Sequence, residues 1–337
     1  MSSVPALRMD LLPRPERQAW IFAIVAATDF VGPVVMAQPA LPPDALQQFQ
    51  TAVGHRVEAV NILAGDYAAA GGIYTFRGGT LADLSVTKVG GGGRVAALKP
   101  LGLGDLQWAP VLIGNVGLVS AENTFETGFL AGNRMTYDTL ALEAGGGAVV
   151  YFTDHLSLSP TFSGIYGRVE NEFAPRNANG DYLESVGNGT LVNWTLDTWS
   201  VVPAIKGAYE WSWRRTTFEF SSRYNFFHTE SFESSSPVID VNGDSSTWQN
   251  KLDADVPLGL KLFGRELHTG GFISRTELFG HAADGFNSGH VYTANMRLVL
   301  DYLGKLWAVK WLGLGASYFW GENVNGWTAG VSLQFQF

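Results

Sequence analysis

The C-terminal segment of this 337-residue chain alternates strictly between apolar residues and small or polar residues. From Trp327 to Phe337 every odd-numbered residue is apolar, and every even-numbered residue is threonine, glycine, serine or glutamine. A period of two places all the apolar side chains on one face, so the segment predicts a half-buried β-strand. The upstream segment Leu312 to Trp320 follows a similar pattern, and the polar turn Gly321 to Gly326 joins the two into a predicted hairpin.

The length of the alternating segments favours a membrane barrel over a soluble sandwich. Trp248 to Leu262 exceeds an ordinary globular strand of about five or six residues and matches the roughly 9 to 11 tilted residues that cross a bilayer. Its opposite face carries charges that a dry core excludes and a water-filled lumen accepts. A content of 40 Gly, 21 Phe, 11 Trp and 11 Tyr also suits strands and turns. We predict an all-β fold, a transmembrane antiparallel β-barrel of about 12 strands.

The same pattern locates the individual strands. Pro110, Pro203 and Pro257 fall inside them, where the missing N–H predicts bulges. The candidate strands lie near residues 326–337, 308–321, 289–303, 267–280, 247–262, 216–231, 196–211, 156–170, 134–143 and 107–120, with two weaker ones near 80–89 and 70–77.

The N-terminal residues predict export. Arg14 and Arg17 precede an apolar stretch that ends in small residues, which is typical of a cleaved signal peptide over residues 1–37. Residues 38–66 form an N-terminal segment, in which Pro43 to Val53 has an apolar helical face. It is interpreted as a short helix inside or below the barrel, or as a mobile leader. Residues 67–337 form the predicted barrel.

Connection lengths predict the orientation. The connections between strands at Ser212 to Arg215 and Phe263 to Glu266 are short. Those at Asn171 to Leu196 and Glu230 to Thr247 are long and polar. Bacterial barrels have short periplasmic turns and longer external loops, so the C-terminus and the short turns are expected in the periplasm.

Two sets of residues are candidates for functional positions, one in the lumen and one at the membrane interfaces. Charged residues on the polar strand faces are expected to line the lumen, as ion pairs or as a constriction for small solutes. They are Glu219, Arg223, Lys251, Asp253, Asp255, Arg275, Glu277, Arg297 and Asp301. Tryptophans at strand ends are expected at the membrane interfaces; they are Trp199, Trp211, Trp248, Trp320 and Trp327.

Several other functions find little support. A net charge of -9 disfavours a nucleic-acid partner, and the absence of cysteine excludes disulfides and thiol chemistry. His155 and Ser157 resemble the His-x-Ser pair of outer-membrane lipid hydrolases, but Leu158 and Ser159 depart from that pattern. Leu156 and Leu158 are expected to face lipid, so strand parity predicts that His155 and Ser157 face the lumen. Gly90 to Gly93 is interpreted as a flexible turn rather than a phosphate-binding loop. No catalytic, cofactor-binding or metal-binding residue is predicted.

With a signal peptide, a mature chain that is almost all barrel, the segment Phe218 to Tyr224 and the ending Leu333 to Phe337, the protein resembles the solitary outer-membrane autotransporter-like β-barrels. The resemblance implies about twelve strands, a possible luminal helix and no passenger domain. It also implies that Phe337 is the signal for the barrel assembly machinery. Outer-membrane lipids are the other expected partner.

Three functional hypotheses follow. The first is a structural or translocator-like barrel with an occluded lumen, and the second is a porin-like channel for small solutes. The third, weaker one is a lipid hydrolase that uses His155 and Ser157. The sequence does not indicate an oligomeric state.

Overall fold

The computed structural model describes residues 43–66, 72–76, 84–124, 131–301 and 309–335. The predicted signal peptide and Phe337 lie outside these residues. The described chain contains three helices, α1 (Pro43–Gly65), α2 (Ala178–Gly187) and α3 (His281–Phe286). Its strands are β1 (Gly72–Phe76), β2 (Leu84–Arg94), β3 (Lys99–Pro100), β4 (Gln107–Thr124), β5 (Arg134–Tyr151), β6 (Leu156–Ala174), β7 (Thr195–Trp213), β8 (Thr216–Ser234), β9 (Asn242–Leu262), β10 (Arg265–Gly280), β11 (His290–Asp301), β12 (Val309–Gly321) and β13 (Val324–Phe335).

The strands form one antiparallel sheet that closes on itself. Consecutive strands pair from β4 through to β13, and β13 pairs with β1. Strand β2 pairs with β1 and also with β4, which completes the ring. Strand β3 has two residues and pairs only with β4. The other twelve of the 13 described strands form the barrel. The predicted fold class is therefore confirmed.

The two faces of each strand meet different surroundings, as the alternating sequence predicts. On β4, Ile113 and Val119 are buried on the inner face, whereas Leu112, Val116 and Leu118 are exposed on the outer face. An apolar outer face is what a barrel in lipid requires, because the bilayer is the solvent for that face.

Helix α1 fills part of the lumen. It has 23 residues, longer than the predicted Pro43 to Val53, and contacts strands β2, β4, β5, β6 and β9. Gln50 at its N-terminal half donates from Nε2 to the carbonyl oxygen of Val238 in the long loop between β8 and β9. The helix therefore runs from the long-loop end of the barrel toward the short-turn end. Among the described helices, none has the length and apolar character needed to cross a membrane.

The interpretation of Gly90 to Gly93 as a flexible turn is wrong. These glycines belong to β2 and pair in register with residues Leu112 to Asn115 of β4. A Cβ atom at Gly90 would lie 2.5 Å from Cα of Asn115, so the close approach of the two backbones at this position requires glycine.

The three prolines lie at irregular or terminal positions of the ladders. Pro257 pairs with His268 where the register between β9 and β10 shifts, two residues before Gly259 with φ +67°. This is the bulge expected there. Pro110 immediately precedes Val111, the first residue of β4 that pairs with β2. Pro203 pairs with Phe162 on β6 but lies in a gap of the register between β7 and β8.

Candidate functional site: the luminal helix and its contacts

The C-terminal end of α1 is bound by side chains of the barrel wall. Lys88 on β2 donates from Nζ to the carbonyl oxygen of Leu63 at 2.7 Å, and also to that of Asp66. Asn115 on β4 donates from Nδ2 to the two intervening carbonyl oxygens, at 2.8 and 2.7 Å. The last carbonyls of a helix have no partner within the helix, and a cation is favoured there. The wall therefore caps the helix.

A buried ion pair holds the residue that follows the helix. The Asp66 carboxylate lies 3.6 Å from the guanidinium of Arg223 on β8, and the two side chains are 5% and 8% exposed. Asn225 donates to the other carboxylate oxygen at 3.4 Å and accepts from Arg223 Nε at 2.6 Å. Asn225 also donates to the hydroxyl of Thr247 on β9. This network joins the end of α1 to two neighbouring strands.

Glycines in the wall allow the helix to approach closely. A Cβ atom at Gly117 on β4 would lie 2.0 Å from the carbonyl oxygen of Ala64. At Gly167 on β6 it would lie 2.5 Å from Asn61 Oδ1, and Asn61 donates from Nδ2 to the hydroxyl of Thr198 on β7 at 2.8 Å. The inner face is thus shaped for this helix, because a larger side chain at either glycine would displace it.

Apolar contacts cover the rest of α1. Val53 and Val57 are buried in one cluster with wall and loop residues, and Ala59 to Ala64 contribute to a second, larger one. The partners in the first cluster are Val169, Trp194, Leu196, Ile239 and Val241. Fully burying such side chains stabilises the packed helix by about 1.5 to 3 kcal/mol each as an upper limit.

Helix α3 covers α1 at the long-loop end. His281 Nδ1 lies 2.9 Å from Oε2 of Glu58, which is fully buried. The rings of His55 and His281 stack with centroids 4.2 Å apart, and Asp284 lies 3.6 Å from His55 Nδ1. Gly285 packs on the helix backbone, where a Cβ atom would lie 2.3 Å from the carbonyl oxygen of His55. The connection between β10 and β11, which contains α3, therefore packs over this part of α1.

Burial shifts the pKa values of two groups between α1 and α3. It lowers the pKa of the His55 imidazole, with a further decrease from His281 and an opposing effect of Asp284. Burial also raises the pKa of the Glu58 carboxyl, against the effect of its hydrogen-bond partners. Both shifts disfavour charge at the interface between α1 and α3.

Toward the short-turn end, charged side chains line the lumen. Lys206 on β7 donates to Glu219 at 2.9 Å. Arg297 on β11 contacts both carboxylate oxygens of Asp253 across the lumen face, and Lys251 lies 3.6 Å from the same group. A bidentate pair of this kind has a defined geometry.

A further pair lies nearby. His268 on β10 lies 2.6 Å from Asp255. The structure therefore places Glu219, Arg223, Lys251, Asp253, Asp255 and Arg297 on the face that encloses α1. Asp301 ends β11, and its side chain is outside the described residues.

The partners differ from those expected within single strands. Glu219 was expected to pair with Arg223, but Glu219 contacts Lys206 and Arg223 contacts Asp66. Neither Lys206 nor Asp66 was identified from the sequence. Lys206 shares the parity of Ser200 and Val202, which are buried on the inner face, so strand parity could have indicated it.

The expectation that Arg275 and Glu277 face the lumen is wrong. Arg275 is in register with Tyr292, and its guanidinium lies 5.4 Å from the centre of that ring. Tyr292 stacks on the exposed Trp320, which belongs to the outer face. The exposed Ile273 and Phe279 share the parity of Arg275 and Glu277 and could have indicated the outer position. The two charges form an ion pair at 2.5 Å on the outside of the barrel.

The predicted interface tryptophans lie on the outer face. Trp199, Trp248, Trp320 and Trp327 are between 39% and 54% exposed. Trp211 stacks between Tyr209 and Phe218 near the short-turn end of β7. Their position at membrane interfaces is still a prediction.

The residues considered for lipid hydrolysis lie apart from the luminal site. His155 is exposed in the turn between β5 and β6, and its ring lies 6.2 Å from that of Tyr209. Ser157 lies on β6 with the parity of the inward residues Ser163 and Ile165. Within the described residues, no three His, Asp or Glu side chains come together as metal ligands.

The barrel has twelve strands, an apolar outer face and a helix that is held in its lumen. These features are typical of an outer-membrane β-barrel whose lumen contains a helix. The family model for the solitary outer membrane autotransporter β-barrel domain matches residues 102–336. The chain belongs to this family, and it is an autotransporter-type β-barrel domain of the Gram-negative outer membrane.

Solved structures agree on the fold. The β-domain of the Bordetella autotransporter BrkA is 14% identical, with a TM-score of 0.50 over 79% of this chain and 96% of that one. The transport unit of autotransporter AIDA-I from Escherichia coli is 9% identical, with a TM-score of 0.54 over 84% and 99%. A comparison with curated protein sequences finds no match.

Proposed function

We propose that this protein is a structural, translocator-like barrel whose lumen is occluded by its own helix α1. The observation that carries this proposal is the binding of the helix end by the wall, where Lys88, Asn115 and Arg223 all contact residues Leu63 to Asp66. A helix that merely passed through a pore would need no such cap. Wall glycines that fit the helix backbone support the same function.

Planar-bilayer recording of the purified protein tests the proposal. The occluded barrel is expected to give no steady conductance. A variant with Lys88→Met and Asp66→Ala removes the charged contacts of the helix end and is expected to give intermittent openings. Steady conductance of the wild-type protein would overturn the proposal in favour of a channel.

The channel is the second candidate, supported by the polar lumen toward the short-turn end. Lys206 and Glu219 are 37% and 33% exposed there, so water reaches this part of the lumen. If α1 leaves the lumen, these charges would form the constriction. Exchange of Lys206 and Glu219 for glutamine would then change the ion selectivity of any openings.

We assign no enzymatic role. The hydrolase hypothesis needs His155 and Ser157 to act on one substrate, whereas His155 is exposed in a turn and Ser157 lies on the inner parity of β6. Phospholipid turnover by the purified protein that is lost in both His155→Ala and Ser157→Ala would overturn this view.

The orientation remains as predicted, with the short turns in the periplasm. It is supported by turns of two residues at 214–215 and 263–264, against the loop 175–194 that contains α2. Since the chain has no cysteine, single substitutions can report it. An impermeant maleimide should label Ser185→Cys in intact cells, and Asp154→Cys only after permeabilisation. The reverse pattern would invert the orientation.

A further inference from the structure

The outer surface of the barrel carries basic residues at both ends, but their surroundings differ. Toward the long-loop end, each outward arginine of the strands lies next to a carboxylate. Arg134 lies 3.3 Å from Glu122, and Arg168 lies 3.0 Å from Glu170. Arg275 forms the pair with Glu277 described above. These positive charges are therefore already neutralised by the protein.

The short-turn end is different. Arg214 and Arg215 form the turn between β7 and β8, and Lys261 precedes the turn between β9 and β10. All three side chains are exposed. Within the described residues, no carboxylate oxygen lies within 4.0 Å of their charged nitrogens. The acidic residues Glu210 and Glu266 share the parity of the buried, inward Ser200 and Ser274, and Lys261 is in register with Glu266. The outward charge at this end therefore comes from the turn residues Arg214 and Arg215.

Exposed aromatic and apolar side chains accompany these charges. Trp213 is 62% exposed, and the guanidinium of Arg214 lies 4.8 Å from the centre of its ring. Phe263, at the tip of the next hairpin, is 87% exposed, and Leu260 and Leu262 are 60% and 47% exposed. A soluble anion would contact only the charged part of this surface. An anion attached to acyl chains would contact both parts of it.

The two hairpins are neighbours in the barrel. Strand β8 leaves the first turn and pairs with β9, which leads into the second. Above the first turn, Tyr209, Trp211 and Phe218 form a stacked aromatic row on the outer face. Such a row is typical of the membrane interface, which places the basic turns at the level of lipid head groups.

We propose that this cationic and aromatic rim, formed by Trp213, Arg214, Arg215 and Phe263, binds the head groups of anionic phospholipids. The positive side chains contact the phosphate, and the aromatic and leucine side chains contact the glycerol and the first part of the acyl chains. The proposal rests on the orientation proposed above in one respect, because phospholipid, as distinct from lipopolysaccharide, is the lipid on the periplasmic side. It does not depend on whether the lumen is occluded.

The test measures lipid retention by the purified full-length protein in detergent. Native mass spectrometry with equal amounts of phosphatidylglycerol and phosphatidylcholine of the same acyl chains gives the preference. Each basic residue near an anionic surface contributes about fivefold. The variant Arg214→Gln/Arg215→Gln should therefore lose the preference for phosphatidylglycerol by roughly tenfold or more. The preference should also weaken as salt is added.

The matched control is Arg168→Gln/Arg275→Gln, which removes the same charge from the ion-paired end and should retain the preference. An equal loss in both variants, or no loss in either, would overturn the proposal. Competition by inorganic phosphate as strong as that by the lipid would also overturn it, since the site would then recognise free phosphate. Maleimide labelling of Asp154→Cys in intact cells refutes only the orientation, and a conducting wild type refutes only the occlusion.

Discussion

The substitution Asp66→Ala removes the side chain that ties the end of α1 to the barrel wall. Asp66 and Arg223 are 5% and 8% exposed, and their charged groups lie 3.6 Å apart. Removing one partner of a buried ion pair takes away part of the compensation of the other charge, and such removals cost about 3 to 5 kcal/mol. Asn225 loses an acceptor in the same step. We expect the free energy of unfolding to decrease by about this amount.

Guanidinium unfolding in detergent micelles, followed by tryptophan fluorescence and by heat-modifiable migration on gels, measures the change. Asp154→Ala is the matched control, because Asp154 is exposed in a turn and its loss should cost less than about 0.5 kcal/mol. A double-mutant cycle with Arg223→Ala should give a coupling energy above about 1 kcal/mol. Additive effects, or an Asp66→Ala variant as stable as the control, would refute the reasoning.

Three further substitutions test other contacts of the helix. Gly117→Ala should destabilise the protein by about 1 to 3 kcal/mol in the same unfolding assay, because its Cβ meets the backbone of α1, whereas Gly207→Ala meets no atom within 4 Å and should be neutral. Lys88→Met removes two hydrogen bonds and a charge from the helix end and should cost about 1 to 3 kcal/mol by denaturant titration, without loss of secondary structure in circular dichroism. Because burial lowers the pKa of His55 below its ordinary value of 6.5, the unfolded chain binds the proton first as the pH falls, and stability is lost on acidification. His55→Gln should therefore lose less stability than the wild type between about pH 7.5 and 5.5, and an identical pH dependence would contradict the assignment.

The strands with large apolar side chains could be predicted from the sequence. Strand β13 was expected at 326–337 and lies at Val324–Phe335, and β10 was expected at 267–280 and lies at Arg265–Gly280. In these segments neighbouring residues face the bilayer and the lumen in turn. The bilayer requires apolar side chains and the lumen accepts polar ones, so the sequence alternates with a period of two.

Glycine-rich segments could not be predicted in the same way. The expected strand at 134–143 extends to Tyr151 in the structure, through Gly145 to Gly147. Glycine has no side chain and therefore no hydropathy contrast between the faces. The reason for these glycines is close backbone approach, since a Cβ atom at Gly145 would lie 2.4 Å from Ser163 Cβ.

The luminal site depends on contacts between residues far apart in the chain. Asn225 and Asp66 are 159 positions apart, and Asn61 and Thr198 are 137 apart. Strand parity indicates that a residue faces the lumen, but not which residue it meets there. Arg275 and Glu277 show another limit, because they are charged although they have the outward parity of the exposed Ile273, so charge alone does not identify the lumen face.

Cross-linking of α1 to the wall tests the occupied lumen most directly. Asn61→Cys and Thr198→Cys can be introduced without background because the chain has no cysteine, and the native side chains are hydrogen-bonded at 2.8 Å. A short bifunctional thiol reagent that fluoresces only when it bridges two thiols should react with this pair in outer membranes. The control pair Asn61→Cys/Ser246→Cys has its second residue on the outward parity of β9 and should not be bridged. Absence of bridging in the first pair, or equal bridging in both, would contradict a helix in the lumen.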